Sequence, residues 1–129
     1  MISSLDTNIL LRYIWKDVPG QREKAAKLLD DEEQTFRISD LVVAELVFNL
    51  KADRLRRKSI VGILEKIFSK RNIRVNSMVA DKVLPFYAEH PGLSFVDCYA
   101  AFEADEGKAE PLWTFDRKLA NQHPSAEKL

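Results

Sequence analysis

Met1-Ile-Ser-Ser-Leu-Asp-Thr-Asn-Ile-Leu-Leu-Arg12 is the stretch whose reading decides the fold. Residues 2–5 read as a short strand, Asp6 ends it, and residues 8–15 read as a helix. A strand that stops at a carboxylate and turns straight into a helix places that carboxylate at its own C-terminal edge. In open parallel α/β sheets, ligands occupy the crevice outside those edges. The expectation is a sheet covered by helices on both faces, with Asp6 facing a site.

Three more acids stand in comparable positions: Glu45, Asp97 and Asp116. Between them the sequence alternates weak strands with stronger helices. A Pro-Gly turn at 19–20 precedes a polar helix over 21–33, and 35–39 is a β-type run. Ser39 or Asp40 can cap a helix over 41–52. Residues 53–71 read as a helix with Ile60, Ile63, Leu64, Ile67 and Phe68 on one stripe. Residues 73–75 form a strand candidate, and Ser77 opens a helix to 89. His90-Pro-Gly92 stops that helix, Ser94 opens another to 107, 111–114 is a strand, and Asp116 opens a terminal helix. After Asn121 the tail is short, and the sequence leaves a final edge strand undecided. No linker or repeat divides the chain, so residues 1–129 are expected to form one domain.

Composition narrows the function. The 129 residues carry 20 basic and 20 acidic side chains, so any grip on nucleic acid must be local rather than a bulk charge effect. One cysteine excludes an internal disulfide or a multi-cysteine zinc site. The longest aliphatic run is too short to span a bilayer, and the first residues lack the pattern of a signal peptide. A cytoplasmic location is the expectation that follows.

Each acid has a plain structural use. Asp6 and Asp116 would serve as helix N-caps. Ser94-Phe-Val-Asp97 has the form of a capping box, with Asp for the usual longer acid. Glu45 differs, because its neighbours Leu41, Val42 and Phe48 are apolar. It is expected to point into an apolar face and to need a cation, a hydrogen-bond donor or a raised pKa there, a buried pair with arginine being the plain structural use. Together the four suggest oxygen ligands for Mg²⁺ or Mn²⁺. Such ions activate water and stabilise the leaving oxygen in phosphodiester cleavage. That chemistry needs no histidine, cysteine or serine nucleophile, and His90, His123 and Cys98 show no such arrangement in the sequence.

The stretches Leu5-Asp-Thr-Asn-Ile-Leu10, Ser39-Asp-Leu-Val-Val-Ala-Glu-Leu46, Leu93-Ser-Phe-Val-Asp-Cys-Tyr-Ala-Ala101 and Leu112-Trp-Thr-Phe-Asp-Arg-Lys-Leu119 recur in one order. In that order the chain resembles the PIN-domain nucleases, and most closely the VapC-like ribonuclease toxins of toxin–antitoxin operons. The resemblance implies a three-layer α/β/α fold with a central parallel sheet and the first strand in its middle. It implies Mg²⁺- or Mn²⁺-dependent RNA cleavage, a homodimer, and neutralisation by a small antitoxin. By matching position, Asp6, Glu45, Asp97 and Asp116 are the implied metal ligands, and Asn8 and Thr114 the supporting polar residues. The chain departs from the family pattern in its Ser-rich first strand and in the weak strand before Thr114.

Lys51-Ala-Asp-Arg-Leu-Arg-Arg-Lys58 is locally basic. Arg54, Arg56, Arg57 and Lys58 are candidates for RNA phosphate contacts, and a solvated junction between helices would carry the same residues. Phe95, Tyr99 and Phe102 are expected to be packing residues, and Trp15 and Trp113 core residues. Two rival readings remain. One is a catalytically silent RNA- or protein-binding module on the same fold. The other is a phosphatase with Asp6 as nucleophile, although Asp6-Thr-Asn8 lacks the second acid of that motif.

Overall fold

The computed structural model describes residues 2–15 and 18–129. The chain forms two compact units, a first ending at Asn76 and a second over Ser77–Leu129.

The first unit is a βααβααβ run: β1 (Ile2–Ser4), α1 (Thr7–Ile14), α2 (Gln21–Leu29), β2 (Thr35–Arg37), α3 (Asp40–Ala52), α4 (Arg57–Phe68) and β3 (Ile73–Arg74). The strands pair in parallel in the order β1-β2-β3, with Ser3 opposite Phe36 and Phe36 opposite Ile73. Backbone bonds carry the ladder past the strand ends: Leu5 N–H donates to Arg37 O at 3.1 Å, and Ile38 N–H to Arg74 O at 2.9 Å. Strand alternation puts Phe36 and Ile38 in the core and leaves Arg37 in solvent. Leu10, Leu29, Leu46, Leu50, Ile60 and Leu64 close the core from the helices.

Two of the helix boundaries that differ from expectation have a plain local reason. Helix α2 stops at Leu29 because Asp31 bends the chain: its carboxylate accepts the Glu33 N–H at 3.1 Å and Gln34 Nε2 at 2.9 Å. These bonds hold the Asp31 carboxyl below its ordinary range, the Gln34 bond first. Helix α4 starts at Arg57, not at 53, because α3 ends in a Schellman turn. There Arg54 takes the left-handed φ of 63°. Its N–H reaches Lys51 O at 3.0 Å, and Leu55 N–H reaches Leu50 O at 3.4 Å.

The second unit runs through a π-helical turn (Val79–Val83), α5 (Leu84–Glu89), α6 (Phe95–Glu106), β4 (Leu112–Thr114), α7 (Arg117–Gln122) and β5 (Ala126–Lys128). Pro85 cannot donate to the helix ladder. Just before it the ladder widens, with Leu84 N–H on Val79 O. Strand β5 pairs in parallel with β4, so the final strand that the sequence left undecided is present. His123 builds the turn into it. His123 N–H donates to Leu119 O at 3.0 Å, and His123 Nδ1 accepts the Ser125 N–H at 3.0 Å.

Parallel strands joined through helices make the chain a mixed α/β fold, as expected. The pairing differs in one respect: the described strands form two sheets, and β2 rather than β1 is central in the larger one. The aromatic residues divide. Phe95 is buried and stacks near Tyr99, and Phe102 packs edge-on to Phe86. Trp113, expected in the core, is 56% exposed. It occupies one face of a three-residue strand whose only described neighbour is β5. No described helix is long and apolar enough to cross a membrane.

Candidate active site

Asp6 occupies the N-cap position of α1, immediately beyond β1, in extended backbone with φ −80° and ψ 156°. Its side chain makes no capping hydrogen bond. The residue has the backbone of a cap, yet its carboxylate is exposed and meets no donor among the described residues. Asn8, also exposed, lies in the first turn of α1.

Glu45 lies in the second turn of α3, and α1 packs against α3. The expectation that it points into an apolar interior is overturned: Glu45 is exposed. The buried face of α3 is Val43, Leu46, Val47 and Leu50, an i, i+3, i+4, i+7 stripe. Leu41 and Phe48, the neighbours that suggested burial, are themselves 78% and 75% exposed. Helix α3 is apolar on nearly every side, so periodicity could not tell which face the core would take. Neither a buried cation nor a buried arginine is needed to explain Glu45. Among the described residues its side chain joins no hydrogen bond or ion pair.

In the second unit, Asp97 is the third residue of α6 and completes the capping box expected of it. Ser94 Oγ accepts the Asp97 N–H at 3.1 Å, and Asp97 Oδ2 accepts the Ser94 N–H at 3.2 Å. Asp116 caps α7, its Oδ1 accepting the N–H groups of Lys118 at 2.9 Å and Leu119 at 3.1 Å. Thr114 Oγ1 in turn accepts the Asp116 N–H at 2.9 Å and fixes that backbone at the end of β4. Both α6 and α7 contact β4.

The structure thus places Asp6 and Glu45 in the first unit and Asp97 and Asp116 in the second. Among the described residues, no three His, Cys, Asp or Glu side chains are gathered as a metal-holding group. The donor chemistry nevertheless suits a hard divalent cation. Among the described residues, Asp6 and Glu45 meet no donor at either oxygen, and Asp97 and Asp116 each spend one oxygen and keep one.

The basic segment spans the α3–α4 junction. Arg54 and Arg56 are exposed, Arg56 as the N-cap residue of α4, and Arg57 and Lys58 form its first turn. Sequence reasoning missed His123. It is 4% exposed and packed edge-on against Phe86 and Phe102. The Pro following a histidine at a helix end was the available signal of a turn.

Comparison with known proteins gives the chain's family. The model of the PIN domain family matches residues 4–122. The chain belongs to the PIN domain family. That match runs through both units and takes in all four acids, with Asn8, Thr114 and the basic segment. No curated protein matches the chain significantly. Among solved structures, the chain is similar to one in a crystal structure of VapBC2 from Rickettsia felis bound to a DNA fragment from their promoter. The identity is 22%, over 99% of this chain and 98% of that one, with a TM-score of 0.41.

Proposed function

We propose that this PIN-domain protein is a metal-dependent endoribonuclease, the toxin of a toxin–antitoxin pair, with its two units serving one nuclease domain. The observation that carries the reading is that all four acids inside the family match keep an oxygen unspent among the described residues. Asp6 is the sharpest case: a residue placed to cap a helix leaves its carboxylate idle. An idle carboxylate at the end of a parallel strand stands where such folds bind ligands.

In this reading Asp6, Glu45, Asp97 and Asp116 hold one or two Mg²⁺ or Mn²⁺ ions. The metal, when bound, would offset phosphate charge and make water a competent nucleophile. Thr114 orients Asp116 through the backbone bond already described, and Asn8 supplies a polar group beside Asp6. Arg54, Arg56, Arg57 and Lys58 contact RNA phosphates. Water provides the attacking oxygen, the P–O3′ bond breaks, and the products carry 5′-phosphate and 3′-hydroxyl ends. A homodimer, a small antitoxin partner and a cytoplasmic site of action complete the proposal.

The test is to sequence RNA ends after brief expression in cells, with Asp6→Asn as control. New 5′-phosphate ends that vanish in the control support the reading. Ends bearing 2′,3′-cyclic phosphate, or cleavage indifferent to Asp6→Asn, overturn it.

A further inference from the structure

The first unit holds a cleft of about 470 Å³ between α1, α2 and α4. It lies at the opposite end of α1 from Asp6: the helix has eight residues and so spans about 12 Å. Its lining combines two chemistries. Tyr13 and the α4 residues Ile63 and Ile67 form an apolar wall, while Arg22, Lys66 and Lys70 bring three cations. No acid lines it among the described residues, in a protein whose charges cancel overall.

The cations are unequally compensated. Lys70 pairs with Asp30 at 3.2 Å. Neither Lys66 nor Arg22 has a carboxylate partner among the described residues. Lysines near the end of α4 complement that helix's dipole, which accounts for Lys66 and Lys70 without a ligand. It does not account for Arg22, which sits in the first turn of α2, where the dipole disfavours a cation. Arg22 is held over the Tyr13 ring, 5.8 Å from its centroid, and its Nε is closed off from solvent with no acceptor among the described residues. Among the described residues the guanidinium therefore has no compensating carboxylate, and it lies over an aromatic ring at a place that the helix dipole opposes.

We propose that this cleft binds a phosphate monoester carried on a flat or apolar body, of the size and kind of a nucleoside monophosphate. Arg22 and Lys66 take the phosphate, with Lys70 contributing beside them, and Tyr13, Ile63 and Ile67 receive the body. Its volume is that of an ordinary small-ligand pocket. A guanidinium and an ammonium together suit a terminal phosphate. The same chemistry is offered by a free nucleotide and by the 5′-phosphorylated end of an RNA chain.

Calorimetric titration of the full chain in EDTA tests the proposal, with adenosine 5′-monophosphate, adenosine, inorganic phosphate and a trinucleotide with or without its 5′-phosphate. The monophosphate is expected to bind at least about tenfold more tightly than adenosine. Lys66→Gln and Arg22→Gln should each weaken it about tenfold. Tyr13→Leu should narrow the margin of the monophosphate over inorganic phosphate. Preference for the 5′-phosphorylated trinucleotide over the free nucleotide assigns the cleft to RNA ends, and the reverse assigns it to free nucleotides. The proposal is overturned by adenosine binding as well as its monophosphate, or by no binding of any probe at about 10 mM. Unchanged affinity in Lys66→Gln, an exposed position where folding is not at stake, overturns it equally.

Discussion

Asp116 Oδ1 accepts the backbone N–H of Lys118 at 2.9 Å, so one oxygen of a proposed metal ligand is already committed to capping α7. Asp6 stands at the same kind of position before α1 and commits neither. Two acids that look interchangeable in the sequence therefore have different consequences when changed.

Asp116→Ala should cost about 1 kcal/mol of stability through the lost cap. Asp6→Ala should cost within about 0.5 kcal/mol, because no cap bond is lost. Asn at either position should leave stability close to wild type and still lower RNA cleavage by orders of magnitude. Urea midpoints of the four variants check this. An equal loss in Asp6→Ala and Asp116→Ala would contradict the difference in capping.

Glu45→Gln separates a ligand from a structural acid. Glu45 is exposed and unpaired among the described residues, so the change should move the unfolding free energy of the metal-free protein by no more than about 0.5 kcal/mol. Cleavage and Mn²⁺ affinity should both fall. Calorimetry with Mn²⁺ beside the denaturation curve makes the comparison, and unchanged metal affinity would remove Glu45 from the proposed site.

Arg54 holds a left-handed backbone conformation that glycine adopts without penalty. Arg54→Gly should therefore stabilise the protein by about 1 kcal/mol. If Arg54 contacts RNA phosphate, the same variant should bind RNA more weakly. Its salt dependence should flatten by about one log unit per lost contact. Higher stability with an unaltered salt slope would make Arg54 a turn residue only.

His123 should make stability fall with acid. Burial lowers its pKa first; Asp105 and Glu110 act against that and His90 with it. A lowered folded pKa means that protons bind the unfolded chain more readily. The stabilisation is then complete above the unfolded value near 6.5 and is lost as the pH falls toward the folded value. The imidazolium also cannot accept the Ser125 N–H. Urea midpoints at pH 7.5 and 5.5 should differ in wild type and converge in His123→Phe. That variant should be weaker at pH 7.5 by about 1–3 kcal/mol for the stranded N–H. An identical pH dependence in both proteins would exclude His123 as its source.

Some of this protein was legible from neighbouring residues alone. Ser39, Ser94 and Asp116 open their helices because a short oxygen-bearing side chain satisfies amides two or three residues on, which the local sequence decides. Of the α4 stripe, Ile60, Leu64 and Ile67 are buried and Ile63 and Phe68 half-buried, since one helix face largely suffices to define it. The four family motifs lie within the match at residues 4–122. Other features needed contacts between distant residues. Helix α3 is apolar on nearly every side, so only packing chose Val43, Leu46, Val47 and Leu50 for the core and left Glu45 outside. Strand β5 is three residues long and acquires its identity from β4, with His123 buried to build the turn. The charge excess of the cleft arises because Arg22 and Lys66, far apart in sequence, line one cleft from α2 and α4. Short-range hydrogen bonds and periodicity are properties of a segment; burial, pairing and uncompensated charge are properties of what another segment brings beside it.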